Sequence, residues 1–348
     1  MTDRLRESLF MKTCRREPTE TTPVWFMRQA GRYMSEYQKI RSRVGFLELC
    51  KNSDLAAEVT VTAVRRLGVD AAIFFSDILL LVEPMGVSLT YRKENGPAIA
   101  KPVRSGTDVD RLPEFNPELS LPFVSEIIQK SRAWLPPNVP LLGFSGAPFT
   151  LASYLIEGGA SRNFENTKKL MREEGDVFHA LMRYLSRTVL RYLDGQIKAG
   201  VQAVQLFDTW VGCLDPEKYR TFVLPYTRDI FQNLPQAVPA IHFGTEQGPL
   251  LELMRQAGGQ AMGLDWRLDL GKTWKRLGYD VGIQGNQDPA TLLNGQKVVQ
   301  THAKRILDSA AGHPGHIFNL GHGILPQTPI ENVIALVDFV HEYGRKTR

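Results

Sequence analysis

The chain has 348 residues, of which 43% are hydrophobic and 23% are charged, a composition typical of a folded globular protein. Its 42 Lys and Arg against 37 Asp and Glu leave a net charge of +5, a mild excess that tolerates an anionic ligand. The basic residues form no run interleaved with aromatic residues, which argues against nucleic-acid binding. The three cysteines have no C-x-x-C spacing, which argues against a disulfide framework and a cysteine-rich zinc site.

Neither a membrane span nor a secretory signal is predicted. The longest apolar runs, such as Ala71–Phe75 and Ile78–Val82, are far shorter than the roughly 20 residues that cross a bilayer. Residues 1–7 mix both charge signs and lack an apolar segment. We therefore expect a cytoplasmic protein, with the chloroplast stroma as the alternative if a transit peptide has been removed.

Eight short apolar runs recur along the chain, and each ends in a glycine or polar cluster. Runs this short and continuous predict strands buried on both faces, the pattern of a parallel sheet. In chain order the runs are 24–27, 70–75, 140–144, 203–207, 240–243, 261–264, 281–284 and 316–320.

The stretches between these runs predict helices. Residues 52–67 carry an apolar residue at every fourth position, and residues 161–200 are long enough for two helices. Asp215-Pro216 and Asp288-Pro289 each place a carboxylate before a proline at a helix start. Residues 328–331 (Thr-Pro-Ile-Glu) predict a capping box before the last helix.

Strand and helix alternate eight times, which predicts an α/β fold consisting of a single (β/α)₈ TIM barrel over residues 1–348. After the second run, residues 87–92 and 98–101 flank Asn95-Gly96, a turn signal that predicts a hairpin inserted in the second βα loop. An open doubly wound sheet with a capping domain is the alternative.

In a barrel the ligand site is built from the loops at the carboxyl ends of the strands. Arginines, carboxylates, small hydroxyls and one histidine follow the predicted strands, so we expect them to converge on one face. The segments are Arg28–Tyr33, Ser76-Asp77, Ser145–Phe149, Asp208–Trp210, Gly285-Asn286 and Gly321–Gly323.

Each candidate also has a structural interpretation. Arg28 and Arg32 are four apart, as surface arginines often are, whereas Asp77 stands between two apolar runs, where a carboxylate is costly without partners. Asp208 is equally compatible with a helix cap, and His322 with an ordinary loop histidine. His313 and His316 flank a Pro-Gly turn, so we do not expect them to bind a metal.

Several familiar chemistries are missing from the sequence. It contains no G-x-S-x-G, Walker, H-E-x-x-H or G-x-G-x-x-G motif. The pattern therefore favours an anionic ligand met by arginines and backbone amides, and no motif requires a cofactor or a metal.

Two long segments carry a resemblance to a known family. Residues 23–33 (PVWFMRQAGRY) and 143–159 (GFSGAPFTLASYLIEGG) closely resemble the signatures of uroporphyrinogen decarboxylase. Residues 74–79 and 318–323 also match, and the likeness spans about Leu5 to Tyr343. The resemblance implies a cofactor-free barrel enzyme that removes CO₂ from the four acetate side chains of uroporphyrinogen III, giving coproporphyrinogen III in haem and chlorophyll synthesis.

The resemblance also implies site residues and an assembly. Arg28 and Arg32 would bind substrate carboxylates, and Asp77 would accept the pyrrole N–H groups. Tyr154 and His322 would line the cleft, and Asp77, Arg28, Tyr154 and His322 are the implied catalytic residues. Gln29 would add a substrate contact. Thr209, at a position where the family commonly has serine, would add another. The family is a homodimer with facing clefts, and it implies no nucleic-acid or membrane partner.

Elementary chemistry agrees with this expectation. Arginine forks suit an octacarboxylate, because each can bind a carboxylate through two hydrogen bonds. A buried carboxylate stabilises the cation that forms when a pyrrole carbon is protonated. The proton donor stays open between Arg28 and a substrate carboxyl group.

Two alternatives remain at this point. Corrinoid methyltransferases resemble the chain in fold but carry a zinc-binding His-x-Cys, where this sequence has His242-Phe243-Gly244. A tetrapyrrole carrier would use the same arginines and Asp77 without releasing CO₂.

Overall fold

The computed structural model describes residues 1–92 and 96–346. Seven parallel strands form one sheet in the order β1-β4-β5-β6-β7-β8-β9, and β2 and β3 form a separate antiparallel pair. The strands are β1 (Ala72–Ile73), β2 (Leu89–Arg92), β3 (Gly96–Ile99), β4 (Leu141–Gly146), β5 (Ala203–Asp208), β6 (Ala240–Gly244), β7 (Ala261–Gly263), β8 (Gly282–Gln284) and β9 (His316–Ile317).

The first apolar run joins the two edges of this sheet. Val24 pairs in parallel with Phe318, just beyond β9, and the carbonyl of Val24 accepts the N–H of Asp70, just before β1. The prediction of a full strand over residues 24–27 is wrong, because the backbone N–H groups of Phe26 and Met27 donate to side chains and not to a neighbouring strand. Gln29 accepts from the N–H of Phe26 at 3.1 Å, which turns the chain away from the sheet.

Contacts across the sheet confirm that it curls. The indole N–H of Trp25 donates to Gln284 at 3.0 Å, and the amide of Gln284 donates to Gln205 at 2.9 Å. Gln205 lies on β5 and Gln284 on β8, which are not neighbours in the sheet, so these side chains meet on the inner face of a curled sheet. All three are buried.

Helices cover the outside of the sheet. They are α1 (Asp3–Arg6), α2 (Leu9–Cys14), α3 (Ser35–Arg41), α4 (Phe46–Lys51), α5 (Ser53–Leu67), α6 (Gly106–Asp110), α7 (Pro117–Ser120), α8 (Pro122–Trp134), α9 (Pro148–Glu157), α10 (Glu165–Glu173), α11 (Gly175–Ala199), α12 (Pro216–Phe222), α13 (Leu224–Asn233), α14 (Leu251–Ala257), α15 (Leu270–Leu277), α16 (Gln296–Ala310) and α17 (Ile330–Lys346). Among the described helices, none is long and apolar enough to cross a membrane.

Most of the predicted helix starts are correct. Asn52 caps α5, and Asp215 caps α12 by accepting from the N–H of Lys218. The segment 161–200 holds α10 and α11, as its length predicts. Asp288 caps only a short 3-10 turn, because Asn294 ends it after five residues.

The predicted capping box at the last helix is wrong. The helix α17 does begin there, but the hydroxyl of Thr328 is buried without a hydrogen-bond partner instead of accepting from the helix. Thr328 is only 3% exposed, so packing has overridden the local signal.

The segment after β1 contains the antiparallel pair, in which Tyr91 of β2 lies opposite Pro97 of β3. Asn95 of the predicted turn lies outside the described residues, so the turn itself stays a prediction. The bridge between Ala98 and Gly159 ties β3 to the end of α9. The pair is therefore held next to the end of α9.

Candidate active site

Asp77 is held just beyond the carboxyl end of β1. Its carboxylate accepts the N–H of Leu79 at 2.8 Å, and the preceding turn is fixed by Phe75, whose N–H donates to the buried hydroxyl of Thr60 at 2.8 Å. Burial raises the pKa of Asp77, while the nearby Tyr91 hydroxyl, the Leu79 N–H and the charge of Arg28 oppose that rise. The carboxylate is thus rigidly placed, and its neighbours offset only part of the free-energy cost of burying its charge.

Tyr91 is a neighbour of Asp77 that the sequence analysis missed. Its hydroxyl is buried close to the Asp77 carboxylate, and burial followed by the charge of Asp77 raises the pKa of Tyr91. The ring packs on Phe46 of α4, with 4.8 Å between centroids. The sequence did show an aromatic residue in the predicted hairpin after the second strand. The predicted strand pairing of that hairpin, however, did not indicate that this residue would lie close to Asp77.

Arg28 lies in a tight turn of the first signature segment. Its φ of 61° is in the left-handed region, and a Cβ added to Gly323 would lie 2.4 Å from the Arg28 Cδ. Glycine at position 323 therefore makes room for the arginine stem. The charge of Arg28 influences the pKa of Asp77, Tyr154 and His322, which brings the four predicted catalytic residues into one cluster.

The other two predicted residues of this segment lie at the border of the cluster. The side chain of Gln29 is buried, accepts from Phe26 and donates to the carbonyl of Ala71 at 3.1 Å, so it anchors the turn. Arg32 is exposed, and its charge acts on Tyr37. The segment is not helical, so the four-residue spacing of Arg28 and Arg32 does not place them on one helix face.

Tyr154 is presented to the cluster by α9. Its ring lies against Trp210, with 3.8 Å between centroids, and Trp210 in turn contacts Phe164. Burial, followed by the charge of Asp77, raises the pKa of Tyr154, so its hydroxyl keeps its proton. Thr209 precedes Trp210 and is half-buried, and its carbonyl accepts from the hydroxyl of Thr245.

His322 is a neutral hydrogen-bond donor in this arrangement. Its Nδ1 accepts the N–H of Gly323 at 2.8 Å, which leaves the proton on Nε2. Burial, followed by the charge of Arg28, lowers the pKa of His322 to about 4. At neutral pH the cluster therefore presents one carboxyl group, one guanidinium and two neutral donors.

Three aromatic rings lie near the carboxyl ends of β4, β5 and β6. The ring of Phe207 meets those of Phe144 and Phe243 edge to face, with centroids 5.8 and 5.9 Å apart. Phe207 is partly exposed at the end of β5. The three rings therefore form one apolar cluster, of which Phe207 is the accessible part.

Asp208 and His242 lie outside the cluster. The carboxylate of Asp208 accepts from Thr150 at 3.2 Å, and its other oxygen is 3.9 Å from His242 Nε2. His242 contacts the carbonyl of Met254 and the ring of Phe231, which belong to helices outside the sheet. Asp208 is therefore a buried link between β5 and α9, and not a helix cap.

The remaining histidines of interest have structural contacts. His316 lies on β9 with Nε2 2.9 Å from the carbonyl of Gly285, and His313 stacks on Tyr279 at 3.8 Å. No group of three or more His, Cys, Asp or Glu in residues 1–92 and 96–346 is arranged to hold a metal ion.

Comparison with known proteins decides the family. The family model described as uroporphyrinogen decarboxylase (URO-D) matches residues 5–343. The chain belongs to the uroporphyrinogen decarboxylase family. A uroporphyrinogen decarboxylase of Carboxydothermus hydrogenoformans is 52% identical over 96% of this chain and 95% of its own length. One from Sorangium cellulosum is 50% identical over 97% and 96%. The resemblance carried by the two signature segments is confirmed.

Solved structures extend the comparison to the fold. A methyltransferase from Methanosarcina mazei covers 97% of this decarboxylase-family chain and 99% of its own, with a TM-score of 0.78 at 20% identity. A B12-independent methionine synthase from Shewanella superposes with a TM-score of 0.58 at 10% identity. At such identities the likeness concerns the fold alone, and it confirms the predicted barrel-type α/β fold.

Proposed function

We propose that the chain removes CO₂ from the four acetate side chains of uroporphyrinogen III, leaving methyl groups and coproporphyrinogen III. This is a carboxy-lyase reaction of tetrapyrrole synthesis, and the family is named for it. The proposal is carried by one observation: Asp77, Arg28, Tyr154 and His322 come from four distant segments and form a single electrostatic cluster.

Binding of the macrocycle divides between charged and apolar contacts. Arg28 and Arg32 pair with substrate carboxylates, while Phe207 and its neighbours support the rings. Asp77 accepts the pyrrole N–H groups, and the Nε2–H of His322 and the hydroxyl of Tyr154 donate to substrate oxygens. Thr209 supplies a further hydroxyl contact, while Gln29 acts through the turn that it anchors.

The chemistry requires a place for the electrons of the breaking C–C bond. Protonation of the pyrrole carbon next to the one that carries the acetate creates an iminium-like cation, which is conjugated with the acetate-bearing carbon. The bond electrons then neutralise this cation as CO₂ leaves, a proton adds to the side-chain carbon, and the ring carbon releases its proton. Each acetate thus consumes one proton, and an ionised Asp77 stabilises the cationic intermediate.

Two groups are candidates for the first proton donor. Arginine is a poor acid at its ordinary pKa, so a substrate carboxyl group held by Arg28 fits the donor role better than Arg28 itself. In both cases Arg28 acts by holding the group in place. No step requires a metal or an organic cofactor.

The wider setting belongs to the same proposal. Residues 1–348 act as one catalytic domain, in a homodimer with facing clefts in the cytoplasm, without nucleic-acid or membrane partners. The helices described offer no membrane span, and the relatives at about 50% identity come from bacteria. The zinc-dependent methyltransferase alternative lacks support, because Gly244 stands where a cysteine ligand would be needed and His242 is buried against Asp208.

The decisive experiment is anaerobic incubation of the purified protein with chemically reduced uroporphyrin III. Products are separated by carboxyl number, and CO₂ release is measured in parallel. We expect products with seven, six, five and finally four carboxyl groups. A protein that binds the octacarboxylate but leaves it intact would be a carrier and would contradict the proposal.

A further inference from the structure

A third arginine lies at the barrel mouth, in the loop that follows β7. Arg267 is anchored by Asp265, whose side chain is only 1% exposed. One guanidinium nitrogen donates to the Asp265 carboxylate at 2.6 Å, and the backbone N–H of Arg267 donates to the same carboxylate at 2.8 Å. A buried, hydrogen-bonded carboxylate of this kind fixes one edge of the guanidinium.

The opposite edge of Arg267 has a weaker partner. Its other terminal nitrogen is 3.3 Å from Glu246, whose side chain is 60% exposed. An ion pair this exposed contributes little and exchanges readily with another carboxylate. The side chain of Arg267 is itself 45% exposed, so this edge is open to solvent.

The loop lies directly beside the catalytic cluster. A Cβ added to Gly321 would lie 2.1 Å from the backbone nitrogen of Trp266, so the loop packs against the residue before His322. The guanidinium of Arg267 lies over the Trp266 ring, 4.3 Å from its centroid. The charge of Arg267 also lowers the pKa of His322, which agrees with this proximity.

We propose that Arg267 receives a peripheral carboxylate of the substrate, which displaces Glu246 while Asp265 keeps the guanidinium in place. This inference rests on the proposed function, because it takes a polycarboxylate as the ligand. Glu246 pairs with the open edge and thereby competes with the substrate. Arg267 is thus a binding residue that adds to the predicted pair Arg28 and Arg32, on the side of the cluster formed by His322.

The competition gives the two residues opposite effects on KM. Arg267→Gln raises KM for the octacarboxylate about five- to tenfold, as expected for one partly exposed charge pair, and leaves kcat nearly unchanged. Glu246→Gln lowers KM about two- to threefold, because the arginine edge becomes free. Both effects shrink as the salt concentration rises.

A double-variant cycle tests the assignment to Arg267. If Arg267 receives the carboxylate, Glu246→Gln no longer lowers KM once Arg267→Gln is present. If Glu246→Gln lowers KM equally in both backgrounds, it acts only by removing negative charge, and the proposal is overturned. Unchanged KM in both single variants also overturns it.

A matched pair elsewhere in the chain serves as the control. Arg276 and Glu252 form a similarly exposed ion pair between α15 and α14, at 2.5 Å. Arg276→Gln and Glu252→Gln should leave KM unchanged. If the wild-type protein releases no CO₂, the proposed function is wrong. If the wild-type protein is active but the Arg267→Gln substitution leaves KM unchanged, only the role of Arg267 is wrong.

Discussion

Replacing Asp77 by asparagine separates its charge from its structural contact. The amide keeps the shape of the side chain and one oxygen that can accept the Leu79 N–H, which Asp77 binds at 2.8 Å. The variant should therefore fold with nearly unchanged stability. The variant loses only the negative charge, which in the proposed mechanism faces the cationic ring during decarboxylation.

The size of the loss follows from Coulomb's law. Two unit charges about 4 Å apart attract by roughly 4 kcal/mol at an effective dielectric constant of about 20. If this attraction is present mainly in the transition state, the rate falls about a thousandfold. Asp77→Glu should also be poor, because the added methylene displaces the carboxylate from the ring.

The assay measures CO₂ release under single-turnover conditions, together with thermal unfolding of each variant. Asp70→Asn is the matched control, because Asp70 lies at the other end of β1, where it accepts from Val24 and is 2.7 Å from His341. This control should lose stability but keep its activity per folded molecule. An Asp77→Asn protein that folds normally and keeps more than about a tenth of the wild-type rate refutes the electrostatic role; one that fails to fold shows that the aspartate is structural.

The remaining predictions concern the neighbours of Asp77. Gly323→Ala would place a Cβ 2.4 Å from the stem of Arg28, so we expect a higher KM with little change in unfolding temperature, and an unchanged KM would contradict the packing. His322 has its pKa lowered to about 4 by burial and Arg28, so its stabilising effect is full above about pH 6.5 and is lost as the pH falls towards 4. Denaturant titrations of wild type and His322→Gln should diverge in that range, and parallel curves would count against the shift. Tyr154→Phe keeps the ring contact with Trp210 and removes the hydroxyl, so it should lower kcat without loss of stability, whereas equal loss of both would indicate a packing role.

The fold was largely predictable because its signals are local. Short apolar runs indicated the parallel strands, the four-residue apolar spacing over residues 52–67 indicated α5, and Asp215 marked a helix start through a contact within three residues. Local sequence signals gave wrong predictions where residues distant in the chain packed against, or bonded to, the same backbone or side-chain groups. Residues 328–331 have the sequence of a capping box, yet tertiary packing buries the hydroxyl of Thr328 without a hydrogen-bond partner.

The site was predictable only in part, for a related reason. Family motifs indicated Arg28, Asp77 and His322, and the structure brings these residues together. Tyr91 and Arg267 were not indicated, because their positions depend on strand pairing and on the packing of two loops. Such contacts join residues far apart in the chain, and no local pattern records them.

The closure of the barrel by Val24 has a consequence for the order in which the protein matures. Val24 pairs with Phe318, the N–H of Met27 donates to Asn319, and the N–H of Ile324 donates to the carbonyl of Met27. The turn that carries Arg28 is among the first segments to leave the ribosome. The residues that hold this turn in place, Phe318, Asn319 and Ile324, are among the last. Contacts of such long range form slowly, so the arginine turn should order late in folding. A chain that ends before Phe318 would keep the sequence of strands β1 to β8 and would still lack the contacts that hold the Arg28 turn in place.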